Sequence, residues 1–335
     1  MTSTLSLPSS KTLRLLGLLT VLCTVLGIIT ASSTALAYNL SMETAVPAAA
    51  VVKLNDPLVT GGNIGSRQIS PDNSTVVFRA DAEIDGVNEL YSVPIGGGTV
   101  TKLNPDLSGS RDVNSFQITP DSSTVIFIAD VDTVGEDELY IVPIGGGTAT
   151  KLNDPVTSGG RIFDFTLSPD GNTVVYLGDP DTVDITELYS VPVGGGTVTK
   201  LSPNNLTTTR EVLFTRLISA DSSTVVYLGD QNTNNVNELF SVPIGGGTVT
   251  QLNDPLPSGG GVGLFGIKLS PDGSTVVYSA DQETNNVHEL FSVPIGGGTV
   301  TKLNSTLPAN GAIFEFKISP DSSTVVYRGG KIQPR

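Results

Sequence analysis

Apolar residues in the chain fall in short runs of four to eight positions, and past the first 37 residues no run sustains a helical period. Four run types recur in fixed order. FEFKIS (314–319) alternates apolar and polar; STVVFRAD (74–81) is apolar at consecutive positions; NELYSVP (88–94) and TVTKLN (99–104) follow. All are rich in Val, Ile, Thr, Tyr and Phe and are bounded by Pro, Gly, Asp or Asn, the signature of strands joined by tight turns. We denote them a, b, c and d. The unbroken apolar stretch in b predicts a strand buried on both faces.

The order repeats. SPDSSTVVY (319–327) has near-copies starting at 70, 119, 168, 219 and 270, spaced 49, 49, 51, 51 and 49 residues apart. A repeat of this length is one supersecondary unit stacked many times. The expected fold class is all-β: a six-bladed β-propeller of four-stranded antiparallel blades. The blades fall near residues 65–104, 114–153, 163–202, 214–253, 265–304 and 314–335. The sixth copy has a and b and then only GGKIQPR, whereas AVPAAAVVKLN (45–55) resembles SVPIGGGTVTKLN (92–104) with two residues deleted. Residues 42–55 are therefore expected to close the last blade with N-terminal strands, making 38–335 a single domain without open sheet edges. The alternative is an open final blade.

The turns explain the repeated phrase. In SPD, Pro71 pre-sets φ for the first corner of a type I turn, and the Asp carboxylate accepts backbone N–H bonds within it. Asp stands in all six copies; Pro is replaced only by Ala220. The c–d turn carries GGG, which supplies positive φ to a tight hairpin. A phosphate-cradling loop is disfavoured, because no helix and no GKS or GKT follows.

SPDNSTVVFRADAEIDGVNELYSVPIGGGTVTKLN (70–104) resembles the TolB-type propeller repeat, with its SPDG phrase, apolar strand, acidic turn, E-L-Y, glycine pair and terminal L-N. The resemblance spans roughly residues 45–329. It implies the propeller architecture and an exported interaction platform. The additional N-terminal α/β domain of TolB itself has no counterpart here.

Lys11 and Arg14 precede LLGLLTVLCTVLGII (15–29), and Ala35-Leu36-Ala37 offers small residues at a cleavage site. Residues 1–37 thus read as a signal peptide cut after Ala37, with an uncleaved anchor as the alternative. The protein is expected to be exported, to periplasm or extracellular medium. Cleavage removes the only cysteine and takes the formal charge from −15 to −17. That balance disfavours nucleic acid and anionic membrane surfaces and suits cations, basic proteins or neutral glycans.

Function is expected at the end carrying the d–a links and b–c loops. From the first residue of the SPD phrase to the c-strand Pro is always 24 residues, and from that Pro to the Lys or Gln of KLN or QLN always 8. Only the d–a links vary, and variable loops on a rigid frame are where binding is built. The b–c loops are acidic: Asp81, Glu83 and Asp85; Asp130 and Asp132; Asp179 and Asp181. Alternate oxygen ligands suit Ca²⁺, and 81–86 matches the D-x-E-x-D-G opening of an EF-hand, although Ser92 stands where that loop needs Glu. The competing reading makes the first Asp a turn cap and the rest solvated charges. In strand a, expected to line the central channel, Arg67, Arg216, Lys268 and Lys317 are candidates for an anionic ligand; the competing reading pairs the arginines with carboxylates such as Asp164. No reactive constellation is evident: His288 is the only histidine, and carboxylate pairs lie in exposed loops. These residues predict a monomeric, non-catalytic scaffold for a protein or cell-envelope glycan, requiring no cofactor. The alternatives are a propeller hydrolase or lyase acting on polysaccharide and a calcium-stabilised surface protein.

Overall fold

Each repeat begins at a turn that satisfies its own polar groups. Asn73 N–H donates to Ser70 O (2.8 Å), closing a four-residue turn with Pro71 at its first corner. Asp72 Oδ1 accepts from Ser70 Oγ (2.5 Å) and Ser74 N–H (3.0 Å), while Ser70 Oγ accepts from Thr75 N–H (2.9 Å). The hydroxyl-to-Asp bond recurs at Asp121, Asp170, Asp221, Asp272 and Asp321. The fourth turn residue is left-handed in every copy, with φ between 59° and 74° from Asn73 to Ser322. Chain reversal is thereby fixed locally, before any packing.

The structure, a computed structural model, describes residues 51–309 and 311–331, with the side chains of 264, 265 and 331 left out. The expected signal segment, its cleavage after Ala37 and residues 42–50 of the expected closing strands lie outside the described residues. The described residues from Lys53 onward form one compact unit.

Among the described residues every element is a strand. The first sheet orders β1 (Ile64–Ile69), β2 (Thr75–Ala80), β3 (Glu89–Pro94) and β4 (Thr101–Lys102) side by side, all antiparallel. The second has β5 (Val113–Ile118), β6 (Thr124–Ala129), β7 (Glu138–Pro143) and β8 (Thr150–Lys151), and the third β9 (Ile162–Leu167), β10 (Thr173–Gly178), β11 (Glu187–Pro192) and β12 (Thr199–Lys200). The fourth has β13 (Val212–Ile218), β14 (Thr224–Gly229), β15 (Glu238–Pro243) and β16 (Thr250–Gln251), and the fifth β17 (Val262–Leu269), β18 (Thr275–Ala280), β19 (Glu289–Pro294) and β20 (Thr301–Lys302). The sixth is two-stranded, β21 (Gly311–Ile318) with β22 (Val325–Lys331). These are strands a to d in the expected order, with d reduced to two paired residues.

The core lies between consecutive sheets. Val77 and Leu90 of the first pack with Val113, Phe116 and Phe127 of the second, and equivalent layers join the second to third, third to fourth and fourth to fifth sheets. Strand b is buried on both faces, as its unbroken apolar run predicts: Val125, Phe127 and Ala129 face one layer, Ile126 and Ile128 the next. Within each four-stranded sheet the b and c aromatics stack, from Tyr176–Tyr189 at 5.3 Å to Phe78–Tyr91 at 5.6 Å.

The two ends of the series differ from its middle. In β22, Val326 is 67% and Tyr327 39% exposed, where Val175 and Tyr176 are buried. In β1, Ile69 is 56% exposed, against 9% for Ile118. Residues 51–55, expected to contribute to a closing strand, form no ladder. Leu54 and Leu58 instead pack on the first sheet beside Val76, Phe78 and Tyr91. Leu103 and Leu107 make the matching contact with the second sheet.

Candidate functional site

The acidic b–c loops and the d–a links meet at one end of the sheets, joined by a recurring carboxylate. Asp130 accepts Asp112 N–H on Oδ1 (2.7 Å) and Gly135 N–H on Oδ2 (2.9 Å). Asp179 accepts the N–H groups of Arg161 (2.7 Å) and Asp184 (2.9 Å); Asp81 accepts those of Asn63 and Gly86. Asp230 and Asp281 repeat the pattern. One oxygen closes the b–c turn and the other holds the end of the link just before strand a. Both amides would otherwise be left without partners in a part-buried region, so the Asp is a staple between the two loops.

The outer loop carboxylates have different partners. Lys102 of β4 reaches Glu83 (3.1 Å), Asp106 (3.0 Å) and the buried Glu89 of β3. Lys151 joins Asp132 (2.7 Å) and Glu138 (2.5 Å), Lys200 joins Asp181 (3.6 Å) and Glu187 (2.5 Å), and Lys302 joins Glu283 (2.8 Å) and Glu289 (2.5 Å). Burial lowers the affinity of Lys102 and Lys151 for a proton, but the carboxylates around them outweigh it and hold both ammonium groups above their ordinary range. Asp85 is exposed and lies over Gly61 of the link. The seven candidate metal ligands thus divide into staples (Asp81, Asp130, Asp179), lysine partners (Glu83, Asp132, Asp181) and one surface charge. Among the described residues no group of three or more His, Cys, Asp or Glu is placed to hold a metal ion.

The c-strand glutamates and their d-strand partners lie at this same end and were missed by sequence reasoning. Their signal was a constant spacing, since Glu89, Glu138, Glu187, Glu238 and Glu289 each stand 13 residues before the Lys or Gln of the following KLN or QLN. The fourth sheet breaks the pattern. Glu238 is buried, yet Gln251 stands where the others have lysine.

The strand a cations are distributed rather than gathered. Arg216, its side chain 2% exposed, pairs with Asp164 of the preceding sheet at 3.0 Å. Lys268 donates to Phe316 O (2.6 Å) and lies over the Phe316 ring. Arg67 and Lys317 are exposed on β1 and β21. Gln68 Nε2 donates to Phe116 O (3.2 Å), and Leu167 N–H donates to Gln117 Oε1 (3.3 Å), so the first strands of successive sheets adjoin one another.

No protein-family model and no curated protein sequence matches this chain. Solved structures do. A dipeptidyl peptidase 4 from Porphyromonas gingivalis superposes with a TM-score of 0.59 at 11% identity, covering 79% of this chain and 41% of that one. An oligogalacturonate lyase in complex with manganese gives 0.50 at 14% identity, over 77% of this chain and 68% of the lyase. A TolB candidate from Agrobacterium tumefaciens gives 0.41 at 19% identity, over 72% and 80%, a superposition too loose to argue from. The shared feature is a β-propeller. At these identities the likeness is one of fold alone, and the chain spans about two-fifths of the peptidase. The four-stranded sheets are accordingly blades.

Proposed function

We propose that the protein is an exported, non-catalytic scaffold that binds a protein or cell-envelope ligand through the end formed by the d–a links and b–c loops. The observation that carries this reading is the aspartate staple, which fixes the ends of the links before β1, β5, β9, β13 and β17 to a rigid blade while the link sequence itself varies. Asn204, Asn205, Thr207, Thr208 and Thr209 in the link before β13 are exposed beside buried Leu206, an arrangement that presents polar groups from an anchored loop. Six of the seven candidate loop carboxylates, Asp85 excepted, are occupied by backbone amides or lysines, which suits a frame.

Replacing Asn204, Asn205, Thr208 and Thr209 with alanine is expected to abolish capture of a partner from a cell-envelope fraction without moving the melting temperature. Undiminished capture contradicts a link-based surface. The second reading is a hydrolase or lyase acting on polysaccharide, favoured by the fold likeness to the oligogalacturonate lyase. Release of unsaturated products from a uronic-acid polymer by the purified protein would establish it.

A further inference from the structure

The fourth blade holds a buried carboxylate, Glu238, with no ion-pair partner among the described residues. In four blades a lysine Nζ sits within 2.5 Å of the c-strand glutamate, and the lysine side chains remain 19–29% exposed. The ammonium therefore arrives from the solvent side. In the fourth, Gln251 Nε2 stands 3.4 Å from Glu238 Oε1, a long contact, and the carboxylate accepts the backbone N–H groups of Asn232 (3.1 Å) and Thr233, neutral donors in place of a cation. Tyr91, Tyr140 and Tyr189 donate a phenol hydroxyl to their blade's glutamate; Phe240 holds that position here, as Phe291 does in the fifth blade, but only the fifth keeps a lysine on its glutamate. Nearby Asp230 adds negative charge. Beside this carboxylate a cleft of about 470 Å³ opens between the b–c loop and the next link, lined by Thr233, Val236, Glu238, Gln251, Leu256 and Pro257.

We propose that this cleft is a binding site for a primary ammonium group on an unbranched alkyl stem, which takes the place held by lysine in the sister blades. Val236, Leu256 and Pro257 provide apolar wall for the methylenes, and Glu238 receives the charge. Two sources share that chemistry, a lysine side chain on a protein and a free alkyl diamine. The site lies at the same end as the proposed binding surface and borrows Leu256 and Pro257 from one link, but it is argued from the contrast among blades and stands without the scaffold reading. The Glu238 carboxylate is already buried, so an ammonium group that reaches it supplies the missing countercharge and an acetylated amine does not, which makes the site selective for the charged form.

The test is thermal unfolding of the purified protein with 1,5-diaminopentane, with a lysine peptide, and with the same peptide acetylated at Nε, each against sodium chloride at equal ionic strength. A saturable rise of several degrees with either amine, and none with the acetylated peptide, is expected; the amine that acts identifies the source. Gln251→Lys is expected to melt higher than wild type and to lose the amine response, because the chain then fills its own site. Glu238→Gln is expected to lose the response as well. No rise beyond salt in the wild type overturns the proposal, as does an undiminished response in Gln251→Lys. Should that variant fail to fold, an undiminished response in Glu238→Gln overturns it equally. Loss of the amine response leaves envelope-fraction capture by the links intact, so the two readings fail separately.

Discussion

Gly171 and Gly273 occupy the same corner of sister turns, both at φ +74°, but they face different neighbours. A methyl group on Gly171 would sit 2.8 Å from Pro120 Cδ of the preceding blade, whereas on Gly273 the nearest atom, Ala220 N, lies at 3.4 Å. Both alanine variants lose about 1 kcal/mol to the left-handed backbone, and Gly171→Ala loses roughly 1–2 kcal/mol more to the clash. Denaturant unfolding checks the ordering, and equal losses contradict it. The pH response also begins with single residues. Hydrogen bonds from the turn hydroxyls, led by Ser70, Thr119 and Ser168, hold Asp72, Asp121 and Asp170 below the usual carboxylate range, and Asp321 falls to about 2. A depressed carboxylate contributes stability that is present above its unfolded pKa and is lost as pH falls through the folded one. The melting temperature should therefore decline from the ordinary carboxylate range down to about pH 2. Glu238 has the opposite sign: burial raises it, so its ionisation costs stability as pH rises past the ordinary range, and Glu238→Gln should remove that component.

At the scale of elements, the staple and the lysine pair divide the acidic loop into parts of unequal importance. Asp130→Ala strands two amides and is expected to cost about 2–4 kcal/mol, against about 1–2 for Asp130→Asn, which keeps an acceptor. Lys151→Met leaves buried Glu138 without its cation and is expected to cost about 1–3 kcal/mol, discounted because the lysine is partly exposed. Unfolding curves for the three variants give the order, and an Asp130→Ala protein as stable as wild type would refute the staple. The strands themselves were legible in the pattern, because TVVF and NELYSVP state both their burial and their limits. The turn role of SPD was legible too, since Pro71 and Asp72 act within four residues of each other. The staple's second bond was not, as Asp130 meets Asp112 only after strand a has folded back on strand b. The pairing of Lys102 with Glu89 likewise follows from the c–d register that sets Tyr91 opposite Lys102. The arginine pair expected in the channel was open in the sequence between a ligand and Asp164, and for Arg216 the structure has Asp164.

Across the whole molecule the repeat makes each blade cover its neighbour, so the end blades carry the unsolved surface. Val326 and Tyr327 of β22 expose what every other copy buries, and Ile69 of β1 is exposed where its counterparts are buried (Ile118) or half-buried (Leu167, Ile218, Leu269 and Ile318). Closure by residues 42–55 is proposed for both surfaces: residues 51–55 form no ladder, but Leu54 sits on the first blade as Leu103 sits on the second, and in sequence AVPAAA precedes it as SVPIGGG precedes TVTKLN. Deleting residues 42–50 is accordingly expected to lower the melting temperature and to promote association through β22 in sedimentation; an unchanged monomer contradicts closure by that segment. We propose that the acidic end is a frame built from staples and lysine pairs rather than a set of calcium sites. Thermal unfolding of the protein in EDTA and in millimolar Ca²⁺ tests it most directly. Coincident melts are the predicted result. A rise of several degrees with calcium, as linkage gives from ~2.7 kcal/mol at a hundredfold excess over Kd, would contradict it.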